Sequence, residues 1–444
     1  MTNSFLQVLI VLSIGIAAIV VLTARYRVHA FFALLIACFI VGFGMQMPVE
    51  IIINSVKDGF GNIMKSLGFI IVLGTTLGIL LEYTGSTKVM AAFILKKVGE
   101  RHAALAMSIT GFIVGLPIFC DSGYIVLSGL NNPIAKRTGI SVVIMSVSLA
   151  TGLYSVHCLI PPHPGAAAAA GTIGVDIGKL VLAGMLVAIP AMVIGHLWAG
   201  YAGKKLIPVL DNAAIIIEPV KEQPSVIKSF LPVVVPIILI AIKSFLAIEK
   251  DVAGWWLSVF NSLGDPVIAL FVGILLAFNC KRIWKKDAVS KLLSEGAEKA
   301  GGILVIIGAG GAFGAVLAAT NIGGHFSAIE SLSSMGILFP FLLTFILKTA
   351  QGSSTVAIIT AASVVQPLLH TLGLESDNGR LLCVLSMGAG SMMISHANDA
   401  YFWVIAKFSG LDMKTMLRVY SLATVFMGLI TLLMVYLLSF ILIP

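Results

Sequence analysis

The sequence predicts an all-α polytopic membrane protein, and three observations support this prediction. Of its 444 residues 59% are hydrophobic and 11% are charged, with a mean hydropathy of +1.06, far from the composition of soluble domains. Apolar runs of about 17 to 25 residues match the length of a helix that crosses the hydrocarbon core. Polar and charged residues fall in short islands between those runs.

The apolar spans follow one another along the whole chain. The first has no basic residue before it and is followed by Arg25 and Arg27, which predicts an uncleaved first helix with its amino end outside. The predicted spans are 5–23, 29–46, 66–84, 104–119, 123–135, 140–160, 177–200, 229–248, 266–280, 301–319, 336–349, 355–372, 380–396 and 419–442.

Basic clusters at the span ends orient the chain, because cytoplasmic loops carry an excess of Lys and Arg. With those clusters in the cytoplasm, residues 104–135 enter and leave on the cytoplasmic side, and 336–372 enter and leave from outside. Each segment is therefore predicted to be a re-entrant hairpin. The clusters are Arg25/Arg27, Lys88/Lys96/Lys97/Arg101, Lys136/Arg137, Lys204/Lys205 and Lys281/Arg282/Lys285/Lys286.

The chain divides into two halves joined by a polar stretch. Residues 1–202 form the predicted first half, 203–228 a cytoplasmic linker and 229–444 the second half. Each half is expected to hold one hairpin and one broken helix, the latter at about 140–165 and 380–406.

An internal repeat supports this division. "VLGTTLGILLEYTG" and "IIGAGGAFGAVLAATN" share a glycine spacing, with Gly74 matching Gly310 and Gly78 matching Gly314. The order of the matching segments is kept at a separation of roughly 235 residues. Opposite orientations of the two copies would make this an inverted repeat, whose substrate site lies near the membrane midplane. Chance glycine matches in apolar sequence are the alternative.

Four polar breaks interrupt the apolar sequence. Irregular backbone at membrane depth must contact protein or water, because unpaired N–H and C=O groups are costly in lipid. The breaks are Pro117–Gly123, Ala350–Thr355, His157–Gly165 and Ser395–Trp403.

Each break also has a simpler interpretation. Asp121 could cap a hairpin tip in cytoplasmic water, and the hydroxyls of Ser353–Thr355 could bond back to their own helix. The prolines after His157 could form an exterior loop, and Ser395–Trp403 could be the polar end of a membrane helix. The matching order of tips and breaks in the two halves favours a functional interpretation.

Two further ionisable residues lie in apolar sequence. Glu82 ends an apolar run and Lys348 precedes the second tip. Both could also extend to the membrane interface, so neither is assigned from position alone.

Other features exclude several function classes. The net charge of +8 comes from clusters at span ends, so nucleic-acid binding is not expected. The five cysteines lie in or beside apolar stretches without CxxC spacing, which indicates core residues and neither disulfides nor a metal site.

The motifs resemble the gluconate permease family, which includes gluconate:proton symporters and D-serine transporters, within the ion-transporter superfamily. The resemblance extends over nearly the whole chain and is specific as a combination. It rests on "FCDSGYIVLSGLNNPIAKRTG", "VHCLIPPHPGAAAAAG", "IIGAGGAFGAVL", "GSSTVAIITAASVVQP" and "SHANDAYFW".

That resemblance implies a homodimer in the inner (cytoplasmic) membrane, with a scaffold domain, a transport domain and an elevator-like motion. It implies a small organic anion as substrate, with no cofactor, metal or catalytic residue. The substrate-binding residues that it implies are Asp121, Ser122, Gly123, His157, His163, Gly352, Ser353, Ser354, Thr355, His396, Asn398 and Asp399.

The expected function is secondary active uptake of a small hydroxylated acid such as gluconate by proton symport. Free N–H groups at the hairpin tips would bind the carboxylate, and Asn398 and the histidines would bind the hydroxyls. Asp121, Asp399 and Glu82 are the candidates for carrying the proton. Sodium coupling and D-serine or glycerate as substrate remain alternatives, because the same ligands suit them.

Other classes fit less well. ATP-driven transport would need a Walker A motif, which is absent. An intramembrane hydrolase could use His157, His163, His396 and Asp399 as metal ligands, or Ser122 as nucleophile. HExxH and GxSxG are absent, however, and two inverted copies suit transport better. A channel would give uptake without accumulation.

Overall fold

The computed structural model describes residues 5–204, 223–246, 255–281, 283–320 and 334–442, and in this part of the chain it is helical without β-strands. Of the helices in those ranges, six are long and apolar enough to span a membrane. These six are Gln7–Arg25, Val49–Tyr83, Ile177–Gly203, Val226–Lys243, Lys286–Ala319 and Met413–Leu442. The chain is a multi-pass membrane protein.

The first half forms helices α1 to α10. They are α1 (Phe5–Val20), α2 (Ala30–Gly44), α3 (Val49–Tyr83), α4 (Ser86–Val98), α5 (Ala103–Gly115), α6 (Cys120–Ser128), α7 (Asn131–Thr138), α8 (Val142–His157), α9 (Pro164–Ile173) and α10 (Ile177–Gly203).

The described residues of the second half form helices α11 to α20. They are α11 (Val226–Leu246), α12 (Trp255–Leu263), α13 (Pro266–Phe278), α14 (Lys286–Ala319), α15 (Leu338–Gln351), α16 (Ser354–Val365), α17 (Asp377–Met392), α18 (Ala400–Ser409), α19 (Met413–Met416) and α20 (Leu422–Leu442).

The order of helices repeats between the halves. Helices α2, α3, α5, α6, α8 and α9 correspond in order to α13, α14, α15, α16, α17 and α18, with starting residues separated by roughly 235 positions. Packing follows the same correspondence across the halves, because α6 packs against α18 while α9 packs against α16. The tip helix of one half therefore contacts the helix after the break in the other half.

The two longest described helices, α3 and α14, pack along each other through glycines. A Cβ atom on Gly59 would meet the backbone of Gly311, and one on Gly311 would meet Ile63 and the carbonyl oxygen of Gly59. Small residues at such positions let two helix backbones approach closely, which is the usual basis of helix association in membranes.

Several boundaries differ from the predicted spans. The predicted spans 66–84 and 301–319 are only the C-terminal parts of α3 and α14, because charged residues interrupt the apolar run but not the helix. Helices α9 and α18 are shorter than a membrane span and were absent from the predicted series. Most of the predicted linker, 205–222, lies outside the described residues, and α11 begins at Val226.

A glycine substitution tests the α3–α14 contact. Gly311→Val should lower the free energy of unfolding by about 1–3 kcal/mol, because the added side chain meets Ile63 and the backbone of α3. Gly302→Val is the matched control, since a Cβ atom at Gly302 on the same helix has no atom within 4 Å. The check is the melting temperature of each variant in detergent, and equal melting temperatures would contradict the proposed packing.

Candidate functional site

A cavity of about 380 Å³ lies where the helix interruptions of both halves meet. Its volume falls in the range of about 300–1,000 Å³ that is typical of small-molecule sites. The lining residues are Phe119, Cys120, Asp121, Ser122, Tyr154, His157, Pro164, Ile303, Ile306, Gln351, Gly352, Ser353, Ser354, Thr355, Asn398, Asp399, Ala400 and Tyr401.

Four helix N-termini of the described chain contribute to this lining. They are the starts of α6, α9, α16 and α18. A helix N-terminus presents unpaired N–H groups and the positive end of the helix dipole. Their convergence on one cavity makes it suited to an anion.

The two halves differ in how these N-termini are capped. Phe119 and His163 precede α6 and α9 and provide no side-chain cap. In the second half, Ser353 Oγ accepts a hydrogen bond from Val356 N at 3.3 Å. Asp399 Oδ1 caps α18 in the same way, because it accepts a hydrogen bond from Tyr401 N at 3.0 Å. The N–H groups at the start of α6 are therefore left free for a ligand, whereas α9 begins with Pro164, which has no N–H.

Asp121 lies half-buried in the first turn of α6. Among the described residues its hydrogen bond is a weak one, with Cys120 Sγ donating to Oδ1 at 3.9 Å. None of the ion pairs found among the described residues includes Asp121. Its carboxylate faces the cavity without a cationic partner from the described chain.

Asp399, by contrast, is a member of a buried ion pair. Lys348 Nζ donates to Asp399 Oδ2 at 2.6 Å, and the lysine side chain is fully buried. Ser395 Oγ donates to the same oxygen at 2.5 Å. The Asp399 carboxylate thus has its hydrogen-bonding capacity largely occupied by protein groups.

Further contacts join the second break to the second tip. Asn398 Nδ2 donates to the carbonyl oxygen of Thr349 at 2.8 Å, and His396 Nε2 lies 3.3 Å from the same oxygen. Gly352 has a φ of +84°, and a Cβ atom there would meet the Asn398 backbone. The tip at Gly352 and the break at His396–Asp399 therefore form one packed unit.

The first break is joined to the first hairpin by a histidine. His163 Nε2 donates to the carbonyl oxygen of Gly115, at the end of α5, at 2.7 Å. The ring of His157 lies 4.9 Å from that of His163 and borders the cavity. His157 Nδ1 is buried and has no hydrogen-bond partner in the part of the chain that is described.

Tyrosines join the two halves at the cavity wall. Tyr401 Oη donates to the carbonyl oxygen of Ala150 at 3.1 Å, and Tyr154 Oη donates to that of Ser391 at 3.1 Å. The rings of Tyr154 and Tyr401 stack with centroids 5.7 Å apart. These cross-links hold α8 against the second-half helices around the site.

Most of the residues that the sequence indicated come together here. Those that line the cavity are Asp121, Ser122, His157, Gly352, Ser353, Ser354, Thr355, Asn398 and Asp399. Gly123 instead packs under Leu153, and His163 and His396 lie behind the wall in the contacts described above. Glu82 borders a separate small cavity with Lys299, on the other side of Phe119 and Ser122.

Sequence reasoning missed Gln351, Tyr154 and Tyr401 and gave Lys348 no partner. Both side-chain amide atoms of Gln351 are buried without a hydrogen-bond partner among the described residues, at the cavity wall. The sequence did contain an indication that Gln351 belongs to the site, because this residue lies inside the polar break "AQGSST". Tyr401 likewise stands inside the polar break Ser395–Trp403, whereas Tyr154 gave no signal, since an aromatic residue in an apolar helix is ordinary core.

Comparisons with known proteins agree with this architecture. The profile of the GntP family permease matches residues 7–441. The gluconate permease of Pseudomonas aeruginosa is 32% identical, covering 97% of both chains. The D-serine transporter DsdX of Escherichia coli K12 is 30% identical over 99% of this chain and 100% of its own. The YdaH transporter of Alcanivorax borkumensis has a similar fold, with a TM-score of 0.60, 16% identity and coverage of 86% and 87%.

The close approach at Gly352 can be tested by substitution. Gly352→Ala should lower the melting temperature more than Gly373→Ala. Both glycines have positive φ, so both substitutions cost about 1–2 kcal/mol for the backbone conformation. Only at Gly352 does the new methyl group also meet the Asn398 backbone. Equal losses would mean that the tip does not depend on this contact.

Proposed function

The chain belongs to the GntP family of permeases, and on that premise we propose that it imports a small hydroxylated acid such as gluconate by proton symport. The observation that carries the proposal is the convergence of four described helix N-termini and an unpaired Asp121 on one cavity. Gluconate combines a carboxylate with several hydroxyl groups, so it needs an anion site beside polar side chains.

The substrate carboxylate is proposed to bind at the uncapped N-termini of α6 and α9. The free N–H groups of α6 and the dipoles of both helices favour an anion without a lysine or arginine among the described lining residues, whereas Pro164 at the start of α9 has no N–H to donate. Ser122 and Ser354 add hydroxyl donors at the walls. This arrangement matches the way in which transporter half-helices bind anionic groups near the membrane midplane.

The substrate hydroxyls are proposed to bind Gln351 and His157. Both side chains border the cavity with buried polar atoms that lack a partner among the described residues. A buried unpaired polar group costs free energy that a ligand hydroxyl can recover. Asn398 is a weaker candidate than the sequence suggested, because its amide nitrogen already donates to Thr349.

Asp121 is proposed as the carrier of the coupling proton. It is the cavity carboxylate outside the ion pairs of the described chain, so it can be neutralised by a proton without breaking one. Protonating Asp399 would instead leave Lys348 buried and unpaired. Glu82, behind Ser122, is a proposed second proton site on the route away from the cavity.

Two opposed hairpins, an inverted repeat, a homodimer and an elevator-like motion complete the proposal. The repeated helix order and the exchange of contacts between α6 and α18 and between α9 and α16 support the repeat. The homodimer and the motion rest on the resemblance to the family.

Two alternatives to gluconate import are an intramembrane hydrolase and a D-serine carrier. The family is a transport family, and the hydrolase interpretation is set aside on that ground. D-serine remains a second candidate substrate, because the unpaired carboxylate of Asp121 could bind its ammonium group. Competition between substrates decides between them.

Uptake by purified protein in proteoliposomes tests the function. An inward proton gradient should drive accumulation of labelled gluconate above the bath concentration, and excess unlabelled gluconate should compete more strongly than D-serine. A proton ionophore should abolish accumulation, because the gradient is the driving force. Accumulation of gluconate that does not depend on the proton gradient would refute proton symport. Stronger competition by D-serine than by gluconate would indicate an amino acid as the substrate.

A substitution at Asp121 separates coupling from binding. Asp121→Asn should reduce proton-driven accumulation by about tenfold or more while gluconate exchange across the membrane continues, since the amide keeps the shape of the side chain but cannot bind and release a proton. Asp412→Asn is the control, because Asp412 is an exposed cap far from the cavity lining. Normal accumulation by Asp121→Asn would remove Asp121 from the coupling mechanism.

A further inference from the structure

The surroundings of Lys348 resemble a coordination site more than an ordinary ion pair. Nζ lies 2.6 Å from the carbonyl oxygen of Gly352 and 2.6 Å from Asp399 Oδ2. Ser395 Oγ bonds to the same carboxylate oxygen. A backbone carbonyl, a carboxylate and a hydroxyl are the oxygen ligands that a hard cation such as Na⁺ uses. In this protein an ammonium group bonds to the carbonyl and to the carboxylate, and the hydroxyl bonds to that carboxylate.

The position in the helix explains why a cation is needed there. Lys348 lies in the last turn of α15, where unpaired carbonyl groups form the negative end of the helix dipole. In transporters built from half-helices, such C-terminal ends bind the coupling Na⁺ or proton. The Lys348 side chain folds back onto this end and satisfies the Gly352 carbonyl group.

The first half meets the same need with a neutral group. At the end of α5, the corresponding helix, the carbonyl oxygen of Gly115 accepts a hydrogen bond from His163 Nε2. A carbonyl oxygen can only accept, so Nε2 carries the hydrogen. In both halves, therefore, a protein donor occupies the helix end that could otherwise hold a cation.

We propose that the Lys348 ammonium is the permanent cation of the second hairpin tip and takes the place of a coupling sodium ion. This inference rests on the proposed function and extends it to the choice of coupling ion. Lys348 neutralises Asp399 and holds the Gly352 tip against the break, which leaves Asp121 to bind and release the proton. Transport is then independent of sodium.

Removing the ammonium should create a sodium requirement. In Lys348→Ala the oxygens of Gly352 and Asp399 face the space that the side chain leaves, and Ser395 still bonds to the Asp399 carboxylate. Proton-driven gluconate uptake should be equal in sodium and in N-methyl-D-glucamine for the unaltered protein. For Lys348→Ala it should fall about tenfold or more without sodium, because Asp399 is left buried and unpaired, and sodium should restore much of it.

A second readout does not depend on transport. Sodium should raise the melting temperature of Lys348→Ala in a concentration-dependent manner and leave that of the unaltered protein unchanged, because only the variant has a vacant cation site. If the unaltered protein accumulates no gluconate under a proton gradient, the proposed function fails, and this measurement still tests the cation site.

Two further variants control for structure. Lys243→Ala removes a half-exposed lysine from its pair with Asp265 and should match the unaltered protein in both readouts. The double variant Lys348→Met, Asp399→Asn removes both charges at similar volume, so it should fold, transport poorly and gain nothing from sodium.

Several results would overturn the proposal. A sodium requirement in the unaltered protein would mean that a sodium site exists elsewhere. Full uptake by Lys348→Ala in the absence of sodium, or by the charge-free double variant, would show that no cation is needed at the tip. Restoration of Lys348→Ala by methylammonium but not by sodium would show that the site needs the N–H donors of an ammonium group, so that a sodium ion and Lys348 are not equivalent there.

Discussion

Every helix that ends inside the membrane must find partners for its unpaired N–H or C=O groups, because lipid offers none. This constraint organises the site. Each helix break lies against the paired helices of its own half, where His163 bonds to Gly115 and Asn398 bonds to Thr349. The helix N-termini that are not capped by side chains open instead into the cavity. Two buried side chains with polar atoms that lack a partner among the described residues, His157 and Gln351, border the same cavity, where a ligand can bind them.

The electrostatic design is asymmetric between the halves. In the second half, Asp399, Lys348 and Ser395 form a closed set of charge and hydrogen bonds. In the first half, Asp121 has no described cationic partner, and α6 and α9 begin without side-chain caps. A buried pair is costly to break, whereas an unpaired carboxylate can gain or lose a proton more readily. In the proposed mechanism the Lys348–Asp399–Ser395 set stays fixed, while Asp121 takes up and releases the proton.

Much of this could be predicted from the sequence. The membrane class and the family follow from composition and motifs, and the match to the GntP permease family confirms the family. All four polar breaks border the site, because proline, glycine and polar residues at membrane depth are tolerated only around a cavity or inside protein. The lengths of the helices were harder to predict. Helices α3 and α14 continue through turns that contain charged residues, and those residues lower the local hydropathy below that of a membrane span. The predicted residues Gly123, His163 and His396 lie near the cavity, but they pack behind its wall and do not line it.

The class of protein, its family and the positions of the breaks could be predicted from the linear chain, since composition, turn chemistry and motif order are local properties. Which charges meet depends on how distant segments pack. Lys348 and Asp399 are 51 residues apart, and nothing near either one indicates the other. The same holds for Tyr401, which bonds to Ala150 across 251 residues, and for the unpaired amide of Gln351. Whether a polar group is free or paired depends on which distant segment packs against it, and local pattern does not contain that information.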